Sequence, residues 1–261
     1  MDINLKGKNA LVCGGSGGIG KASAIVLSQL GANVTLLARN AETLGDALKE
    51  LDHTKGQHHD FIVADTSDEA DFHRKLVGLS IQRTIHILVN NSGGPPAGNI
   101  ADAETAAFKN AFAQHLLANH VAAQLLLPGM KKERYGRIIN IISTSVKQPL
   151  RGLGVSNTIR AAVANWSKTL ATELAPFGIT VNNVLPGATE TDRLISIVSN
   201  KANKTGRDID DVRKEMLAEI PMGRFGTAEE IANAVGFLAS PAAAYITGTQ
   251  ITVDGGRTGV L

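Results

Sequence analysis

The residues with the clearest chemistry lie close to the start of the chain, in the run Cys13, Gly14, Gly15, Ser16, Gly17, Gly18, Ile19 and Gly20. An apolar stretch precedes the run, and a helical pattern rich in alanine and leucine follows it. Glycines let a backbone turn tightly and approach a pyrophosphate, while the helix that follows offers unpaired N–H groups and a partial positive charge. The run fits two glycine spacings, Gly15-x-Gly17-x-x-Gly20 and Gly14-x-x-x-Gly18-x-Gly20, and either puts Ser16 and Ile19 beside a phosphate. The next β-type segment ends Leu36, Leu37, Ala38, Arg39, Asn40, with no carboxylate to accept hydrogen bonds from an adenosine ribose. Arg39 can instead pair with a 2′-phosphate, which favours NADP(H) over NAD(H) as the dinucleotide.

Elements that would position these groups follow from the alternation along the chain. Short aliphatic runs at Asn9 to Cys13, Asn33 to Ala38, Asp60 to Ala64, Ile85 to Asn90, Gly136 to Ser143, Thr180 to Leu185 and Gln250 to Val253 read as strands. Between them, helical patterns lie near Gly18 to Leu30, Ala41 to Leu51, Glu69 to Ile81, Thr105 to Met130, Ser156 to Pro176 and Ala228 to Ser240. Such βα repeats predict an α/β fold of the Rossmann type: one doubly wound domain over residues 1–261, with a seven-stranded parallel sheet and helices on both faces. Asp192 to Arg224 breaks the rhythm with polar and charged residues, and is read as a lid inserted over the site.

Composition narrows the function classes. The 261 residues are 43% hydrophobic and 19% charged, with a formal net charge of +2 and no basic stripe, so neither nucleic acid nor an anionic membrane is expected as a partner. No apolar run approaches the roughly 18 residues of a membrane span, and the first residues do not have the layout of a signal peptide, so a cytoplasmic location is expected. Cys13, the one cysteine, cannot form an internal disulfide and is read as a small buried residue. No metal site is expected, since His53, His58 and His59 sit in a polar loop and are read as solvated.

Further motifs carry a resemblance. Gly14-x-x-x-Gly18-x-Gly20, Asp65, the turn Asn90-Asn91-Ser92-Gly93, the segment Pro186-Gly187-Ala188-Thr189-Glu190-Thr191 and the terminal Val253-Asp254-Gly255-Gly256 together resemble the short-chain dehydrogenase/reductase family, in particular its 3-oxoacyl-carrier-protein-reductase-like members. The resemblance implies an oxidoreductase acting on a carbonyl/alcohol pair of a small molecule. It implies that Asp65 meets the adenine, that Asn91 and Gly93 line the cleft, and that Pro186, Gly187, Thr189 and Thr191 lie at the nicotinamide end. It further implies a homodimer or homotetramer paired through the helices Thr105 to Met130 and Ser156 to Pro176.

At the catalytic centre the resemblance is incomplete. The family works with asparagine, serine, tyrosine and a lysine four residues beyond the tyrosine. Ser143 matches its serine, but its tyrosine and lysine fall on Ser156 and Arg160 and its asparagine on His115. A serine hydroxyl titrates far above tyrosine's value of about 10, and arginine stays protonated, so this pair cannot cycle a proton as tyrosine and lysine do. Arg160 remains suited to the nicotinamide ribose, to a substrate carbonyl or to a substrate carboxylate. His115, with an ordinary pKa of about 6.5, is either the acid or a core histidine satisfied by its helix neighbours, Lys147 is a second candidate acid, and Asn119 is placed on one helix face with Phe108, Phe112 and His115. Intact cofactor motifs beside an altered proton relay leave an alternative open: a non-catalytic NADP(H)-binding sensor or partner subunit.

Overall fold

Parallel strands between two helical layers are buried on both faces, which is why Leu88, Val89, Ile138 and Ile139 follow one another without polar alternation. The computed structural model describes residues 1–260. Its strands are β1 (Asn9–Cys13), β2 (Asn33–Ala38), β3 (Asp60–Val63), β4 (Ile87–Asn90), β5 (Gly136–Ile141), β6 (Ile179–Pro186) and β7 (Gln250–Val253). They form one parallel seven-stranded sheet in the order β3-β2-β1-β4-β5-β6-β7. The order reverses between β1 and β4, and at such a switch point a crevice opens beyond the carboxyl ends of the strands.

The helices are α1 (Gly18–Gln29), α2 (Ala41–Lys49), α3 (Glu69–Gln82), α4 (Thr105–Phe112), α5 (Ala118–Glu133), α6 (Gly154–Leu174), α7 (Asp192–Thr205), α8 (Ile209–Ala218) and α9 (Ala228–Ala239). Alternate residues of β1 feed two cores. Val12 packs with Leu27, Leu44 and Val235 on one face, and Leu11 with Phe72, Leu126 and Leu174 on the other. Among the described residues no helix is long and apolar enough to cross a membrane.

Three buried amides pin the middle of the sheet. Asn90, Asn140 and Asn183 are register partners across β4, β5 and β6. Asn90 donates to Asn140 Oδ1 at 2.8 Å, and Asn140 donates to Asn183 Oδ1 at 3.1 Å. Sliding any one strand would bury an unpaired amide, a penalty of about 1–3 kcal/mol each.

Two departures from the sequence reading bear on the site. The single helix expected over Thr105 to Met130 is interrupted by a π-helical turn at Ala113–Leu117 and then runs on to Glu133. Residues 192–224 are mostly helical, as α7 and α8, and bury Leu194, Val198, Val212 and Phe225 in a small core of their own.

Candidate active site

The glycine turn separates the two spacings allowed by the sequence. Gly14 has φ +61°, and a Cβ there would lie 2.7 Å from Asn91 Nδ2 and 2.8 Å from Asn91 O. A Cβ on Gly20 would lie only 2.0 Å from the Gly14 carbonyl oxygen, so the first turn of α1 can pass beneath the loop only without a side chain. Gly18 has φ +51° and faces the Thr191 methyl. Gly17, by contrast, is extended and looks into open space. The Gly14, Gly18, Gly20 spacing is therefore the one the backbone requires. Ile19 is half-buried against the core, and Ser16 is half-buried within the turn.

Around the turn stand the other expected nucleotide residues. Arg39 is exposed at the end of β2 and makes no ion pair with a described residue. Asn40 turns away to cap α2, accepting from the Thr43 N–H at 3.0 Å. Asp65 accepts from the Ser67 N–H at 2.9 Å and its hydroxyl at 2.7 Å; the backbone N–H foremost, and the hydroxyl and Arg39 with it, hold the carboxyl below its usual range. Asn91 donates to the Gly14 carbonyl at 3.4 Å, with Gly93 beyond it in open space. Gly187 passes so close to Asp254 that a Cβ would lie 2.6 Å from the Asp254 Cβ. Thr189 donates to the Gly187 carbonyl at 3.1 Å and Thr191 to the Thr189 carbonyl at 3.3 Å, which folds this segment over the crevice. Cys13 lies beneath the turn, its thiol pushed up to about 12 by burial, a packing residue as expected.

Deeper in the cleft, Ser143 lies two residues beyond the end of β5, and its hydroxyl accepts from the Ser145 N–H at 3.1 Å, opening a short 3-10 turn. With Pro186 and Gly187 it lines a cavity of about 490 Å³. Ser156 is buried on α6, and one turn on Arg160 Nη1 donates to the Ile141 carbonyl at 2.6 Å. Burial, and then the charge of Arg193, pull the Arg160 pKa down to about 10, which still leaves it a cation at neutral pH. Lys147 is half-buried and lines neither this cavity nor its neighbour. Both tyrosines lie elsewhere: the Tyr135 hydroxyl donates to the Ala239 carbonyl at 2.8 Å, and Tyr245 is fully exposed.

His115 departs most from its expected character. It sits on the π turn, buried, with Nδ1 2.6 Å from the Ser92 hydroxyl and a buried Nε2 that has no partner. Burial, then the charges of Arg160 and Arg193, push its pKa from 6.5 down to about 3. The imidazolium assumed in the sequence reading is thus unavailable at neutral pH. The π turn also splits the expected common face, because Phe112 is 41% exposed while His115 is 2% exposed. Ser92 and Arg193 were not singled out as partners of this centre; Ser92 lay inside a recognised turn, whereas nothing local to Arg193 marks it.

A test follows from the histidine. Between pH 6.5 and about 3 an unfolded chain binds a proton here that the folded chain refuses, so stability falls as pH drops below about 6.5. From pH 6.5 to 4.5 the loss should be about 2–3 kcal/mol. His115→Asn keeps a hydrogen-bonding partner for Ser92 and should show a correspondingly shallower fall in urea midpoint over that interval. Equal acid slopes for the two proteins would mean that His115 is protonated in the fold.

A strand, glycine turn and helix at the switch point of a doubly wound sheet define a Rossmann-type dinucleotide-binding protein. The sequence model of the family described as enoyl-(acyl carrier protein) reductase matches residues 14–258. The NADPH-dependent reductase BacG of Bacillus subtilis (strain 168) is 36% identical over 258 residues, covering 95% of this chain and 97% of its own. The 3-oxoacyl-(acyl-carrier-protein) reductase FabG of Escherichia coli (strain K12) is 35% identical over 260 residues, covering 97% and 98%. Among solved structures, the L-sorbose reductase of Gluconobacter frateurii complexed with NADPH and L-sorbose superposes with a TM-score of 0.93 at 31% identity, over 100% of each chain. The chain belongs to the short-chain dehydrogenase/reductase family of oxidoreductases.

Proposed function

We propose that this protein is an NADP(H)-dependent oxidoreductase of a carbonyl/alcohol pair, in which Ser156 and Arg160 stand where the family's tyrosine and lysine fall. The observation that carries the reading is the glycine cradle of Gly14, Gly18 and Gly20, with an unpaired Arg39 at the end of β2. The cradle would take the pyrophosphate, Arg39 the 2′-phosphate, Asp65 the adenine, and Asn91, Gly93, Pro186, Gly187, Thr189 and Thr191 the nicotinamide half. Bound there, the cofactor supplies or accepts a hydride. Ser143 holds the substrate oxygen by its hydroxyl, and Arg160 donates to the ribose or to the same oxygen. With His115 neutral, the proton reaches the developing alkoxide from water ordered by Ser143 and Ser156. Helices α7 and α8, within residues 192–224, act as the lid. Pairing of chains through α4 and α5 together with α6 gives a homodimer or homotetramer, and Phe112 and Leu117, each 41% exposed, suit that contact.

Calorimetric titration tests the nucleotide assignment. NADPH should bind ten- to a hundred-fold more tightly than NADH, equivalent to about 1.5–3 kcal/mol, and Arg39→Ala should abolish the difference. Equal affinities in the native protein would sink it. A second reading, a non-catalytic NADP(H)-binding sensor or partner subunit, is favoured by one observation: burial holds His115, the histidine beside the cleft, far below its ordinary pKa, so it is neutral at neutral pH.

A further inference from the structure

Two arginines meet at the edge of the cleft with no acid between them. Arg160 enters from α6 and donates to the Ile141 carbonyl, while Arg193, in the first turn of α7, donates from Nη2 to the Pro95 carbonyl at 2.6 Å. A Cβ on Gly94 would stand 3.2 Å from Arg193 Nη2 and 3.6 Å from Arg160 Nη2, so a side chain there would fill the space between the two cations. Neither arginine forms an ion pair with a described residue. On and around residues 192–224, Arg207, Arg213 and Arg224, and Arg257 from beyond β7, each find a glutamate.

Two guanidiniums this close disfavour each other's charge, and burial disfavours both. An anion between them reverses both effects, and a planar carboxylate matches the paired donors of a guanidinium. The cofactor has no anion left for them under the reading above, because its pyrophosphate belongs to the glycine turn and its 2′-phosphate to Arg39. Space for a separate ligand is present. Arg193, Gly94 and Lys204 line a cavity of about 370 Å³, which shares Ala97, Ile197, Asn200 and Lys204 with the larger cavity at Ser143.

We propose that the substrate is an oxo acid, or the hydroxy acid it becomes, with its carboxylate held by Arg193 and Arg160 and its carbonyl or hydroxyl at Ser143. This rests on the oxidoreductase reading. In reduction the carbonyl carbon gains the hydride of NADPH, the oxygen gains a proton from water, NADP⁺ is released, and the carboxylate is unchanged.

The test compares 2-oxobutanoate, acetoacetate and 4-oxopentanoate with their methyl esters and with inorganic phosphate, by calorimetry on the cofactor-free protein and on its NADPH complex. At least one acid should bind ten-fold or more tightly than its ester and than phosphate. Arg193→Gln should reduce that preference to under two-fold, Arg193→Lys should recover part of it, and NADPH affinity should move by less than three-fold. Equal binding of acid and ester, or binding of neither, overturns the proposal. So does a ten-fold loss of NADPH affinity in Arg193→Gln without an acid preference to lose, since the arginines would then serve the cofactor. A phosphate preference would assign the pair to a phosphorylated ligand and overturn the carboxylate. If NADPH itself fails to bind, the oxidoreductase reading falls, while the acid and ester titrations of the free protein still judge the anion site.

Discussion

Replacing Ser156 by tyrosine and Arg160 by lysine together is expected to raise the rate of ketone reduction by NADPH at least a hundred-fold. A positioned acid typically contributes 10²–10⁴, and neither Ser156 nor Arg160 can supply one at neutral pH. Ser156 and Arg160 lie one helical turn apart on α6, so the new phenol and ammonium would share the face that Arg160 already turns toward the end of β5. Exchanging guanidinium for ammonium also frees volume beside the buried Ser156. The introduced ammonium would not act alone on the phenol, because Arg193 remains a second cation near the centre and both lower its pKa. Steady-state rates on a panel of neutral ketones, alongside an NADPH titration, decide the matter. A double variant that binds NADPH yet gains nothing would favour the non-catalytic sensor or subunit.

Gly20→Ala should lower NADPH affinity by a hundred-fold or more, about 2.7 kcal/mol, and should also lower the melting temperature. The added methyl would stand 2.0 Å from the Gly14 carbonyl oxygen, a backbone atom that can retreat only by opening the turn. Gly14 in turn is pressed against Asn91, so the disturbance passes to the loop after β4. Gly17→Ala is the control, since its neighbourhood is empty and its backbone extended, and affinity there should change by less than three-fold. If the Gly17 variant proves the more damaging of the two, the phosphate loop has been misassigned.

The fold was legible in the sequence wherever burial is symmetrical. Strands such as β4 and β5 are covered on both faces and appear as short, mainly aliphatic runs. Strand ends were less so: β5 stops at Ile141 rather than Ser143, because Ser143 spends its hydroxyl on capping the turn that follows. Helices α7 and α8 escaped because their apolar residues, Leu194, Val198 and Val212, are sparse among charges and cover only a small core. The glycine turn was legible because glycine spacing records a local backbone need. Electrostatics of the catalytic centre were not. Arg193 reaches Pro95 across 98 residues of chain, and the low pKa of His115 comes from burial and from the charges of Arg160 on α6 and Arg193 on α7, which no short window of sequence contains.

The π turn at Ala113–Leu117 has a consequence for descent. Its closing hydrogen bond runs from the Ala118 N–H to the Ala113 carbonyl, a span of five residues where an α-helix uses four. Such a turn amounts to one residue inserted into an otherwise regular helix. Removing a neighbour of His115 within these five residues would let the hydrogen-bond ladder close as an α-helix, and the side chains of the turn itself would swing about the axis while the flanking segments kept their phase. His115 would then leave Ser92, although no residue of the site had been substituted. Its position is encoded in helix length as much as in side-chain identity, so lineages of this protein should tolerate exchanges along α4 and α5 far better than single-residue insertions or deletions there.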